Sequence, residues 1–188
     1  MKTPALFLLF LLSFSTILYA QDRYINEKYG FSIEKPKDWL ILTHQDLSND
    51  LNIRHGQYLI TFYKYAKEAD QKVNPTINIH LRPNKYKTFK RLFREHLYDE
   101  KWKYNRPGFD YKDTTSTIVE KNGVKTIYNN ATYLIINENK ESLNVETKSH
   151  LFFSRKYLCT IKLYTNQKNK AYDQIFESLV QSIKIAND

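Results

Sequence analysis

Cysteine is nearly absent: Cys159 stands alone in 188 residues, so no intramolecular disulfide can staple the chain and no cysteine cluster can hold a metal. Glycine is scarce as well. Gly30, Gly56, Gly108 and Gly123 are the whole supply, and they form neither a phosphate-cradling loop nor a dinucleotide fingerprint. There is no Gly-x-Ser-x-Gly elbow to present a nucleophile. The five histidines, His44, His55, His80, His96 and His150, are at least 11 positions apart, which leaves no helical or hairpin pair at metal-ligand spacing. Acidic residues sit beside lysines rather than as a pair in an apolar frame, the arrangement that acid/base chemistry requires. These absences predict no catalytic residues, no cofactor and no metal.

Long apolar runs are absent after the first residues. Lys2 followed by Ala5 to Leu18, with Tyr19 and Ala20 before Gln21, has the layout of a secretory signal peptide. The run is too short to span a bilayer. Cleavage after Ala20 is expected, giving residues 1–20 as leader and 21–188 as one domain that is periplasmic or secreted. No cysteine lies near residues 15 to 25, so a lipobox is lacking. No transmembrane segment is expected after the leader is removed.

The balance of charge is basic. Net charge is +9, or +8 without Lys2 of the leader, which favours a partner of negative charge such as an envelope protein or an anionic surface. Lysines scattered over a solvated surface account for the same number without a partner. A chain rich in Lys, Asn, Ile, Tyr and Phe together fits an AT-rich genome.

What is there reads mostly as strands. Apolar residues alternate at Tyr29, Phe31 and Ile33, Pro36 stops the strand, and Trp39 to Leu42 starts a second. Thr43 to Gly56 is polar and reads as a loop, in which Asp46, Asn49 and Asp50 lack the spacing of a calcium loop. Tyr58 to Tyr65 is a third strand, and Thr76 to Leu81 puts Ile77, Ile79 and Leu81 on one face with His80 on the other. Tyr111 to Glu120, the Asn122-Gly123 hairpin turn, Val124 to Asn137, Leu143 to Phe153 and Tyr157 to Tyr164 continue as an antiparallel meander. Cys159 falls in register with Ile161 and Leu163, where a thiol acts as a small hydrophobe. Asn130-Ala131-Thr132 matches a glycosylation sequon, a coincidence in a strand of this kind.

Two helices flank the strands. Over Tyr86 to Tyr98, a 100° step gathers Phe89, Leu92, Phe93, His96 and Leu97 on one side and Lys87, Lys90, Arg91 and Arg94 on the other. The second side is either the solvated back of a sheet-packed helix or a docking face for an anionic partner. Lys101 to Phe109 reads as a loop closed by Pro107-Gly108, setting Trp102 and Lys103 beside that face. Its mixture of cations and aromatics superficially resembles a stacking platform for nucleic acid, a partner not expected for an exported protein. The closing helix, Asn169 to Lys184, turns Ala171, Tyr172, Ile175, Phe176, Leu179, Val180 and Ile183 inward, with Asn169 as its cap.

Tyr29-Gly30-Phe31, then Pro36 and Trp39, together with the ending Ile175 to Lys184, resemble the two ends of PsbP-like domains, whose photosynthetic members are extrinsic subunits of photosystem II and whose many bacterial relatives are exported proteins. The resemblance implies an α+β fold: an antiparallel sheet meander flanked by helices, an α/β/α sandwich. It carries over no functional residue. Together the readings predict a non-catalytic exported module contacting an envelope protein or an anionic surface through Lys87, Lys90, Arg91, Arg94, Trp102 and Lys103. The alternative is a small-molecule or lipid carrier with an aromatic pocket between sheet and helix.

Overall fold

Ile77, Ile79 and Leu81 alternate in the sequence because they belong to the central part of an antiparallel sheet. A computed structural model describes residues 23–43, 57–65, 74–103, 109–136, 141–166 and 170–185. The leader, most of the loop after Thr43, the connection after Tyr65, residues 104–108 and the Asn169 cap lie outside the described residues. Strands β1 (Arg23–Asn26), β2 (Phe31–Glu34), β3 (Leu40–Thr43), β4 (Gln57–Tyr63) and β5 (Thr76–Pro83) precede helix α1 (Phe89–Lys103). The strands β6 (Phe109–Lys121), β7 (Val124–Ile136), β8 (Ser142–Phe153) and β9 (Tyr157–Thr165) follow, then helix α2 (Lys170–Ser182) and the short β10 (Lys184–Ile185). Seven strands form one sheet in the order β3-β4-β5-β9-β8-β7-β6, and β1-β2-β10 form a second. All pairings are antiparallel. Among the described residues no helix is long and apolar enough to cross a membrane.

Several expectations need correction at element ends. Tyr29 lies in a 3-10 turn, Glu27–Tyr29, capped by Gly30 in the left-handed region (φ 57°), so the strand begins only at Phe31. The lead-in before it is itself a strand, β1, and β10 is a further one after α2; each is too short for alternation to reveal. The reading of Asn122-Gly123 holds: φ values of 52° and 73° give both residues the left-handed backbone of the tight β6–β7 hairpin. His80, expected at the rim, is half-buried, and burial, with Arg82 beside it, lowers its pKa.

The helices pack on opposite faces of the large sheet. On one face, Phe62, Ile77, Ile79, Ile161, Leu163 and Cys159 meet Phe176, Leu179 and Val180 of α2 together with Phe31 and Ile33 of the small sheet. Burial pushes the Cys159 thiol up to about 12, which suits a core hydrophobe. On the other face, Ile127, Leu151 and Leu158 meet Leu92, with Phe89 and Phe93 beside it. Arg23 fastens the small sheet to the end of α2, donating to the Ser182 carbonyl (2.5 Å), to Glu34 Oε1 (3.1 Å) and to Ser32 Oγ (3.0 Å).

Beneath the outer edge of α2 the packing is ionic. Lys121 Nζ lies 2.6 Å from Glu177 Oε2, and buried His150 places Nε2 3.6 Å from Glu177 Oε1 and Nδ1 3.3 Å from Thr126 Oγ1. Nearby, Lys148 meets Asp173 at 2.6 Å. His150 first, and Lys121 with it, hold the Glu177 carboxyl at about 2 against the opposing push of its own partial burial. A carboxyl lowered from 4.5 stabilises the fold above that pH, and the contribution is lost as pH falls toward about 2. Melting curves should therefore show Tm falling over that window, and Glu177→Gln should flatten this part of the profile while lowering Tm at pH 7. An unchanged acid limb in the variant would remove Glu177 from the account.

Candidate functional site

Helix α1 is the element with most unassigned chemistry, on both its sides. Thr88 caps it, its hydroxyl accepting from the Arg91 amide at 3.3 Å. The first turns follow the predicted amphipathic pattern. Phe89 meets Phe153 edge to face at 6.0 Å, and Leu92 is buried. The helix then continues through Lys103 instead of ending at Tyr98. Trp102 and Lys103 are thus helical residues, and the 100° step separates them.

On the outward side, Lys90, Arg91, Arg94 and Lys101 are exposed, as is Lys87 just before the helix. Leu97, Tyr98 and Trp102 are exposed among them, at 38, 59 and 58%. Tyr98 and Trp102 pack edge to face at 6.0 Å, and Arg91 reaches Glu95 at 3.9 Å. Of the six predicted contact residues, Lys90, Arg91, Arg94 and Trp102 share this side, and Lys87 is exposed just before it. Lys103 is turned inward, where its ammonium pairs with Glu100. Leu97, expected to point inward, joins the outer patch together with Tyr98 and Lys101.

The inward stripe changes character halfway along. After Phe89, Leu92 and Phe93 come His96, Glu100 and Lys103, one above another at helical spacing. Glu100 is only 5% exposed, and His96 Nε2 lies 3.0 Å from Ser116 Oγ. Burial outweighs Glu100 and lowers the His96 pKa. Asn129 donates to the same Ser116 hydroxyl at 3.0 Å and to Thr114 Oγ1 at 3.2 Å. The register continues this polarity across the sheet: Thr61 pairs with Asn78, Asn78 with Lys162, Lys162 with Ser149, Ser149 with Asn129, and Asn129 with Ser116.

Lys162 was not legible as a site residue, because its place depends on strands distant in sequence. Its ammonium sits 4.7 Å above the Tyr164 ring. Burial first, and Lys103 second, bring its pKa down to about 8, with Glu100 pulling in the opposite direction. A shielded lysine beside a buried carboxylate is a recognised mark of a functional site. Among the described residues no group of three or more His, Cys, Asp or Glu is set to hold a metal ion.

A third feature is an open groove of about 910 Å³ between the β2–β3 connection and α2. Pro36, Trp39, Ile175 and Leu179 supply apolar lining, and Lys35, Gln174 and Ser178 are polar. The indole Nε1 of buried Trp39 has no hydrogen-bond partner among the described residues. The aromatics between the large sheet and α2, including Phe62, Phe152 and Phe176, fill the core instead of lining a pocket.

No family model matches the chain, and no curated protein matches it in sequence. Solved structures do match. The cyanobacterial PsbP protein CyanoP of Synechocystis sp. PCC 6803 superposes with a TM-score of 0.53 at 14% identity, over 87% of this chain and 91% of that one. LpqN of Mycobacterium tuberculosis, described as involved in cell envelope biogenesis, gives 0.54 at 14% identity, over 89% and 86%. A Bacteroides thetaiotaomicron protein gives 0.53 at 10% identity, over 88% of this chain but 48% of its own length. The chain has the PsbP-like fold.

Proposed function

We propose that this chain is a non-catalytic accessory module, exported to the cell envelope, that docks on an acidic face of a partner protein through the outward side of α1. The observation that carries the reading is the joint exposure of Leu97, Tyr98 and Trp102 among Lys90, Arg91, Arg94 and Lys101. Solvated helix backs are ordinarily charged without large apolar residues. Trp, Tyr and Arg are the residues that dominate binding energy in protein interfaces, and surrounding cations select an acidic partner and speed its encounter. Export rests on the leader-like residues 1–20, and the envelope description of LpqN supports that setting. The absence of catalytic motifs from the sequence supports the non-catalytic part.

The test is a crosslinking pull-down of mature protein from its own envelope, comparing wild type with Lys87, Lys90, Arg91 and Arg94 changed to Glu, and with Trp102→Ala. A discrete acidic partner, held at least tenfold more weakly by the charge-reversed variant and released by salt, is the expected result. Identical partners for wild type and variants would overturn it. Wild-type binding to anionic vesicles with no protein captured would replace the partner protein with a membrane surface.

The groove beside Trp39 favours a second reading, a small-molecule or lipid carrier. A stoichiometric ligand co-purifying in native mass spectrometry, released by Trp39→Ala, would move that reading to first place.

A further inference from the structure

We infer that the inward end of α1 and the polar row of the sheet beneath it form a separate binding site for a small oxyanion, a carboxylate or a phosphate group, seated on Lys162. The inference does not depend on the docking face, which lies on the other side of the helix.

Three observations carry it. The first is the composition of the interface. A helix needing only to pack would continue the apolar stripe of Phe89, Leu92 and Phe93, yet it turns His96, Glu100 and Lys103 onto the sheet, and the sheet answers with Asn78, Lys162 and Asn129. Burying polar groups in this way costs free energy unless they are satisfied. The second is the balance of charge. Glu100 is the buried carboxylate of the cluster, and its carboxylate is taken up by Lys103. Among the described residues Lys162, half-buried, makes no ion pair, and its ammonium lies over the Tyr164 ring. Lys162 is therefore left without an anion in a shielded place. The third is the set of donors beside it. Thr61 Oγ1 donates to Asn78 Oδ1 at 2.8 Å, which commits the amide oxygen and leaves the amide nitrogen as the donor of Asn78, the cross-strand neighbour of Lys162. An ammonium with a primary amide beside it recognises a carboxylate or phosphate oxygen.

The ionisation of the cluster makes the site testable by pH. The groups facing it are Lys162 and Tyr164 of β9, His80 and Arg82 of β5, and His96, Asp99, Glu100 and Lys103 of α1. Both histidines are shifted below 6.5, so between pH 7 and 9 they stay neutral. Lys162, near 8, is the group that changes charge in that window.

Inorganic phosphate and acetate, titrated separately into the isotope-labelled protein at pH 7, should shift the backbone amide signals around Asn78 and Thr160 to Tyr164. The affinity should fall as pH passes 8. Lys162→Met should lose at least tenfold, and Lys162→Arg, which stays charged, should keep binding at pH 9. Lys90→Glu with Arg94→Glu should leave the titration unchanged, which separates this site from the docking face. A response to one anion alone assigns the site to that class. Unmoved β5 and β9 signals with both anions, equal shifts in Lys162→Met, or shifts confined to the outer side of α1 would overturn the inference.

Discussion

Phe176→Ala is expected to lose about 3–5 kcal/mol of stability and to lower Tm on the order of 10 °C. Phe176 is 0% exposed at the middle of α2. Its surroundings come from every part of the core: Phe31 and Ile33 of the small sheet, and Phe62, Ile77 and Ile161 of the large one. His150 packs its ring at 5.9 Å on the same side chain. Because these neighbours belong to two different sheets and to α2, they cannot readily close around a lost ring, and most of the cavity cost is retained. Urea denaturation at pH 7 measures it. A loss below about 1 kcal/mol would mean that the surrounding core repacks freely and that α2 does not join the two sheets. Ile175→Ala, on the partly exposed side of the same helix, serves as the comparison and should cost less.

Elements defined by local periodicity were legible in the sequence. Ile77, Ile79 and Leu81 alternate because all three face α2, and Asn122-Gly123 marks a hairpin because both residues adopt positive φ. The inward side of α2 was equally plain from Phe176, Leu179 and Val180. Three things escaped for identifiable reasons. β1 and β10 span four and two residues, less than a readable alternation. The last turn of α1 was read as loop because Lys101, Trp102 and Lys103 carry no apolar period of their own, while Pro107-Gly108 advertises a turn just beyond. The helix reaches Lys103 because Glu100 and Lys103 pair along it and face the sheet. The polar row was invisible for a different reason. Asn78, Lys162, Ser149, Asn129 and Ser116 become neighbours only through the registers of β5, β9, β8, β7 and β6, which no local pattern encodes. The outer side of α1, by contrast, was half visible: four cations at helical spacing could be read, but the exposed aromatics among them required the helix to continue.

Glu100→Ala should cost about 2–4 kcal/mol at pH 7, a large loss for a residue whose side chain ends in a charge. Removing one member of a buried ion pair usually costs more, and the figure is reduced here because Lys103 remains a third exposed. Glu100 serves two cations at once, pairing with Lys103 and raising the pKa of Lys162 against burial. Its loss leaves Lys103 without its partner and Lys162 without the charge that offsets its burial. The penalty on Lys162 has a defined pH dependence. A lysine whose folded pKa lies near 8, below its ordinary 10.5, destabilises the fold fully below about 8, and the penalty fades as pH rises toward 10.5, because the unfolded chain then binds more protons than the folded one. Because Glu100 raises the Lys162 pKa, the variant's lysine loses its proton at a lower pH than the wild type's, so the share of the Glu100→Ala deficit that passes through Lys162 should shrink as pH rises to about 8 and be gone above it. Removing the nearby buried charge as well should recover part of it: Glu100→Leu combined with Lys162→Met is expected to be more stable than Glu100→Leu alone by about 1–3 kcal/mol, since the second substitution removes the shielded charge. Denaturation of the two single variants and the double variant at pH 7 and pH 9.5 gives the full cycle. Additive losses, or a Glu100→Ala deficit that does not vary with pH, would show that Lys162 is solvated independently of Glu100, and the shielded cation on which the oxyanion site rests would be withdrawn with it.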